Sequence, residues 1–145
     1  MAVKDISKGG ATAMPAGLGG ELYVHHITVD FSEDNLALAD VLKILSIPYG
    51  TMVLGIRAEV LTATTAGAGT TVDVGFYKSA NDGAEDIDGL INELAIDALG
   101  EVAQAPAAMS CPTEAAYVAL TPGAGAAAAI EDGVVTFRIA TLSLA

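Results

Sequence analysis

The chain has 145 residues, 18 acidic side chains against six Lys and Arg, and a net charge of −12, with 52% hydrophobic but only 5% aromatic residues. That length suits one domain burying about 68–70% of its unfolded surface. The acidic surface disfavours phosphate backbones and anionic lipid, so neither nucleic acid nor membrane is an expected partner.

Much of the apolar content is alanine, which predicts a thin, layered core. No apolar run approaches the roughly 20 residues of a membrane span. The start, Met1-Ala2-Val3-Lys4-Asp5, lacks the apolar core of a signal peptide, so synthesis and retention in a cytoplasm are expected. The single cysteine, Cys111, cannot form an internal disulfide, in keeping with a reducing compartment.

Residues 1–20 read as an extended, flexible N-terminal arm. Gly9, Gly10, Gly17, Gly19, Gly20 and Pro15 make regular structure expensive in backbone entropy. Val3, Ile6, Met14 and Leu18 are sparse apolar anchors, and Lys4 and Lys8 place positive charge on an otherwise acidic molecule. The body is expected over residues 21–145. Residues 22–31 form a strand with Tyr23, His25, Ile27, Val29 and Phe31 on one face. A polar turn at 32–35 leads to a strand over 40–47, apolar on both sides and so buried on both faces or central in its sheet.

Pro48-Tyr49-Gly50 turns the chain into its most strongly patterned stretch. Met52, Leu54, Ile56, Ala58 and Val60 alternate with Thr51, Val53, Gly55, Arg57 and Glu59, predicting a strand whose first set faces the core. After Ala66-Gly67-Ala68-Gly69 the alternation resumes in Val72, Val74 and Phe76. The two halves read as a hairpin whose apolar face needs a second sheet as cover.

Past residue 78 a loop leads into a segment of helical spacing, where Leu90, Ile91, Leu94 and Ile96 make an apolar stripe. One short helix is expected there, capped by Asp86 or Asp88 and ended by Gly100. Residues 101–114 read as irregular, because Pro106 and Pro112 interrupt them. Short strands follow at 116–121 and 134–142, the latter with Val135, Phe137 and Ile139 on one face. The sum is a mainly β fold: an antiparallel β-sandwich with one short helix and an extended N-terminal arm.

Chemistry-bearing residues are few. His25 and His26 are neighbours on a strand, so they point to opposite faces and cannot share a metal. The stretch 81–101 holds seven acids and no base. Within it Asp82, Glu85, Asp86 and Asp88 are a candidate calcium loop, since clustered hard oxygens suit that ion. Their spacing departs from the helix-loop-helix calcium motif, and helix capping with solvation accounts for the same residues. Cys111 has no base near it in sequence, and the glycines fit no phosphate loop. No catalytic constellation and no cofactor are expected.

The succession IPYGTMVLGIRAEVLTA, TTVDVGFYKS, DIDGLINE, AAYVALT and EDGVVTFRIATL resembles the head decoration, or cement, proteins of tailed bacteriophages, over about residues 21–142. The likeness lies in a Pro-x-Gly turn before a strand, the VDVGF strand, an acidic Asp-Gly segment and a closing strand. It implies a jelly-roll-like sandwich that binds the outside of the major capsid protein shell in many copies and reinforces it against internal DNA pressure. It implies a virion location after synthesis in a host cytoplasm. Capsid contact then falls to Val3, Lys4, Ile6, Lys8, Met14 and Leu18 of the arm. Apolar residues on more than one face of 22–31 and 134–142 point to a homo-oligomer, with a trimer suited to threefold sites. The alternatives are a tail, collar or head-fibre base component, or a carbohydrate-binding module, for which the absence of Trp leaves a weak stacking platform.

Overall fold

A computed structural model describes residues 3–6, 21–78, 84–104, 112 and 114–143. Nine strands follow in chain order: β1 (Val3–Asp5), β2 (Glu21–Asp30), β3 (Val41–Ile47), β4 (Thr51–Thr62), β5 (Thr71–Lys78), β6 (Ala84–Ala95), β7 (Gly100–Gln104), β8 (Ala116–Pro122) and β9 (Val134–Ser143). They form two sheets, ordered β1-β3-β8-β5-β6 and β2-β9-β4-β7. All pairings are antiparallel except β1 with β3.

Strands β2 to β9 pair in nested fashion, β2 with β9, β3 with β8, β4 with β7 and β5 with β6. One long hairpin, folded over on itself, produces that nesting and the two sheets together. This is jelly-roll winding, and it agrees with the expected sandwich. The inner faces meet in one core that includes Phe31, Leu42, Ile44, Val72, Leu120, Phe137 and Ile139. The inward sets expected on β5 and β9 are buried: Val72, Val74, Phe76; Val135, Phe137, Ile139. Of the set expected on residues 22–31, His25, Ile27, Val29 and Phe31 are buried and Tyr23 is half-buried.

Four expectations are corrected. First, β4 and β5 are not a hairpin, since they lie in different sheets and residues 63–70 cross between them. Alternation shows that each strand has a buried face, but it does not name the strand's hydrogen-bonding neighbour. Second, β4 does not bury Met52 and Leu54. Its register against β9 slips between Val53 and Gly55, and the slip reverses which face each side chain takes. Thr51 and Val53 are buried on one side of it and Ile56, Ala58 and Val60 on the other, while Met52 and Leu54 are half-buried.

Third, the helix expected from about residue 88 is strand β6, so Asp86 and Asp88 cap no helix. Its register against β5 shifts three times, with pairs Val72↔Leu94, Val74↔Ile91, Phe76↔Asp86 and Tyr77↔Ala84. Each shift inserts extra residues into β6, which converts a period of two into three or more and imitates a helical stripe. Glu93 occupies the inserted turn at φ 54°, and Asp73 Oδ1 accepts its N–H at 2.8 Å. Fourth, residues 101–104 of the stretch expected to be irregular belong to β7, an edge strand that β4 pairs from Ile56 to Val60. Edge pairing is a backbone matter and needs no alternating side chains.

Residues 3–6, expected within the arm, lie on the body. β1 runs parallel to β3, Ile6 N–H donates to the Lys43 carbonyl at 3.0 Å, and the Ile6 side chain packs against the core. Residues 7–20, with Lys8, Met14 and Leu18, fall outside the described residues.

Candidate functional site

The histidines behave as strand geometry requires. His26 is exposed, and His25 is buried between the sheets with Nε2 2.9 Å from Thr141 Oγ1. Burial pushes the His25 pKa below its ordinary value of 6.5 by penalising the charged ring. Of the candidate calcium ligands, Asp86 and Asp88 are exposed on β6. Asp82 and the Glu85 side chain lie outside the described residues, as does Cys111. Among the described residues no three His, Cys, Asp or Glu converge on a point that suits a metal. Of the N-terminal set, the Lys4 ammonium donates to the carbonyl and side-chain oxygens of Asn35.

Two loops are tied together at one end of the sandwich. Asp132 accepts from Thr64 Oγ1 at 2.7 Å, Thr65 N–H at 2.8 Å and Thr65 Oγ1 at 2.6 Å. These donors hold its carboxyl below the usual range, the Thr65 hydroxyl contributing most. Open clefts of about 300 and 400 Å³ flank this tie, lined by threonines, Gly67, alanines, Glu131, Asp97 and Asp132.

Sequence reading missed Lys43. It is buried on β3, its ammonium 4.4 Å from the Tyr117 ring centre and 5.5 Å from that of Tyr77. Beside it Val41, Tyr77 and Ala119 form a second buried cluster, separate from the main core. The cation rests against two electron-rich ring faces, which offsets part of its desolvation. The only signal in the sequence was a lysine inside an apolar strand, with tyrosines on two strands that prove to be neighbours.

The outer face of the β2-β9-β4-β7 sheet divides into two parts. One carries Arg57 and Arg138 beside Glu59 and Glu101, with Arg57 paired to Glu101. The other carries no charge among the described side chains: Leu22, Leu142 and Met52 align across three strands, with Val24 against Ala140 in the next row. Tyr49 stands in the turn entering β4 at that same end, 73% exposed, while Val24 and Leu22 are 67% and 65% exposed.

Neither a protein-family model nor a curated protein matches the chain. Solved structures do. A chain in the capsid of Ralstonia phage GP4 aligns with a TM-score of 0.71 at 18% identity, covering 100% of this chain and 99% of that one. This is a fold found in phage capsids. A chain of the cyanophage Pam1 capsid asymmetric unit aligns with a TM-score of 0.60 at 21% identity, covering 94% and 96% of the two chains. One from the acid-stable capsid of the Helicobacter pylori bacteriophage KHP30 aligns at 0.50 and 16%, covering 85% and 92%. At these identities the likeness is one of fold, shared along nearly the whole length of each chain.

Proposed function

We propose that this chain is a structural protein of a phage virion that decorates the head, binding the outer surface of the major capsid protein shell and stabilising it. The observation that carries the reading is the end-to-end likeness to the chain in the GP4 capsid, 100% of one against 99% of the other. The net charge of −12 supports it, because an acidic sandwich resists clumping at high copy number and can dock onto basic shell patches. The protein acts by adding contacts between neighbouring shell subunits, not by chemistry on a substrate. It works as a homo-oligomer, with three copies around a threefold position of the shell.

Attachment is assigned to Lys8, Met14 and Leu18. Val3, Lys4 and Ile6 also belong to the expected arm, but β1 is paired with β3, Lys4 is held by Asn35 and Ile6 by the core. Purified protein added to shells lacking it tests the reading. Electron microscopy should show density on the outer shell surface, and decorated shells should survive heating that ruptures bare ones. Recovery of the protein only with tails, or not with particles at all, refutes it. Combined Lys8→Glu, Met14→Ser and Leu18→Ser substitution should lower shell occupancy without changing the melting temperature.

A further inference from the structure

We infer that the uncharged patch where β2 begins is the surface through which one copy of the chain binds another, with Tyr49 and Val24 as its central contacts. The inference rests on the oligomer reading above and names the surface responsible.

The patch is built by register. Leu22 and Val24 point outward because His25, Ile27 and Val29, at the alternate positions, face the core. β9 and β4 add Leu142, Ala140 and Met52 beside them. Tyr49 is presented by a tight turn, with Thr51 N–H donating to the Pro48 carbonyl at 3.2 Å and Gly50 at φ 81°. A tyrosine, with only two side-chain torsions, loses little entropy on binding.

The strand itself differs from the other sheet edges. β6 is broken by three register shifts, β7 has five residues and β1 three. β2 pairs with β9 over ten residues without a slip, and among the described residues no strand lies on its other side. Bulges and short lengths are the usual protections of an edge against pairing, and β2 has neither.

Charge selects the occupant. Leu22, Val24, Tyr49, Met52, Ala140 and Leu142 are uncharged, and further along the same face Arg57 and Arg138 balance Glu59 and Glu101. Asp30 at the far end of β2 adds one negative charge on that side, and most of the net −12 lies on other surfaces. Two identical copies meeting through acidic surfaces set like charges against each other, whereas here they close without that repulsion. A basic shell partner gains most from the acidic surfaces and has no need of this neutral one.

Sedimentation velocity of the full chain over a range of concentrations tests the inference. Wild-type protein should associate, and Val24→Glu or Tyr49→Ser should raise the dissociation constant about 30-fold or more, the loss expected for a central contact. Leu61→Glu, at the far end of β4 and also exposed, should leave it unchanged. Unaltered circular dichroism and melting confirm that these exposed variants fold. A monomeric wild-type protein, Val24→Glu associating as wild type does, or Leu61→Glu disrupting equally overturns the inference. Pelleting with shells separates it from the proposed function. A Val24→Glu protein that still associates but leaves the shell assigns the patch to the shell and overturns only the inference. Wild-type protein that associates through the patch yet never binds shells overturns only the function.

Discussion

Gly75→Ala probes the bulged strand β6 where it lies across β5. A Cβ at Gly75 would stand 2.0 Å from the Asp86 carbonyl oxygen, 2.4 Å from the Ile87 carbonyl carbon and 2.6 Å from the Ile87 oxygen. All three are backbone atoms, so no side-chain rotation relieves the contact. Reaching the 3.4 Å of an ordinary contact requires the strands to separate there by about 1.4 Å. Such overpacking costs about 1–3 kcal/mol, and weakening one ladder hydrogen bond adds about 1 kcal/mol. A loss of about 3 kcal/mol against an unfolding entropy of about 0.3 kcal/mol/K for this length lowers the melting temperature by about 10 °C. Gly100→Ala is the control, because nothing lies within 4 Å of its added methyl and the effect should stay within about 1 kcal/mol, or about 3 °C. Calorimetry on both proteins decides. A Gly75→Ala protein that melts within about 2 °C of wild type means the β6 backbone does not lie across Gly75, and the argument fails.

Phe137→Ala should cost about 3–5 kcal/mol in urea unfolding, since Phe137 is wholly buried where the two sheets meet. Asp132 has a folded pKa depressed below 3.8 by its threonine donors, so it stabilises the fold fully above that value and loses the contribution as pH falls through the lower folded one. Asp132→Asn should therefore flatten the acid limb of the stability profile below about pH 4, measured as the denaturant midpoint at each pH. His25 also has a lowered folded pKa, so its burial favours the fold above about 6.5 and opposes it as pH falls below that. His25→Phe should remove that step, while nuclear magnetic resonance titration of the wild type should show His25 protonating below its ordinary value of 6.5.

The sequence by itself determined which stretches are strands with a buried face. Alternation in 22–31, 71–77 and 134–142 reports side-chain burial directly, because the pleat turns successive residues to opposite faces. The same pleat rule placed His25 and His26 on opposite sides of their sheet. The absence of Trp, the acidic balance and the turn glycines were equally legible, and the motif resemblance pointed to the sandwich fold that is found. What alternation does not encode is the partner across the hydrogen bonds. Whether β4 pairs with β5 or with β9 is settled by which nesting closes two apolar faces over one core, a property of all the strands at once. Bulges were hidden for a related reason. An inserted residue is locally a break in period, so the slip at Val53 reversed the face of Met52 and Leu54, and the slips in β6 made a strand look helical. The Lys43 contact with Tyr77 and Tyr117, and the uncharged patch of Tyr49, Leu22 and Val24, join residues far apart in the chain. Only the tertiary register brings them together, because strand pairing converts distant positions in sequence into neighbours about 5 Å apart.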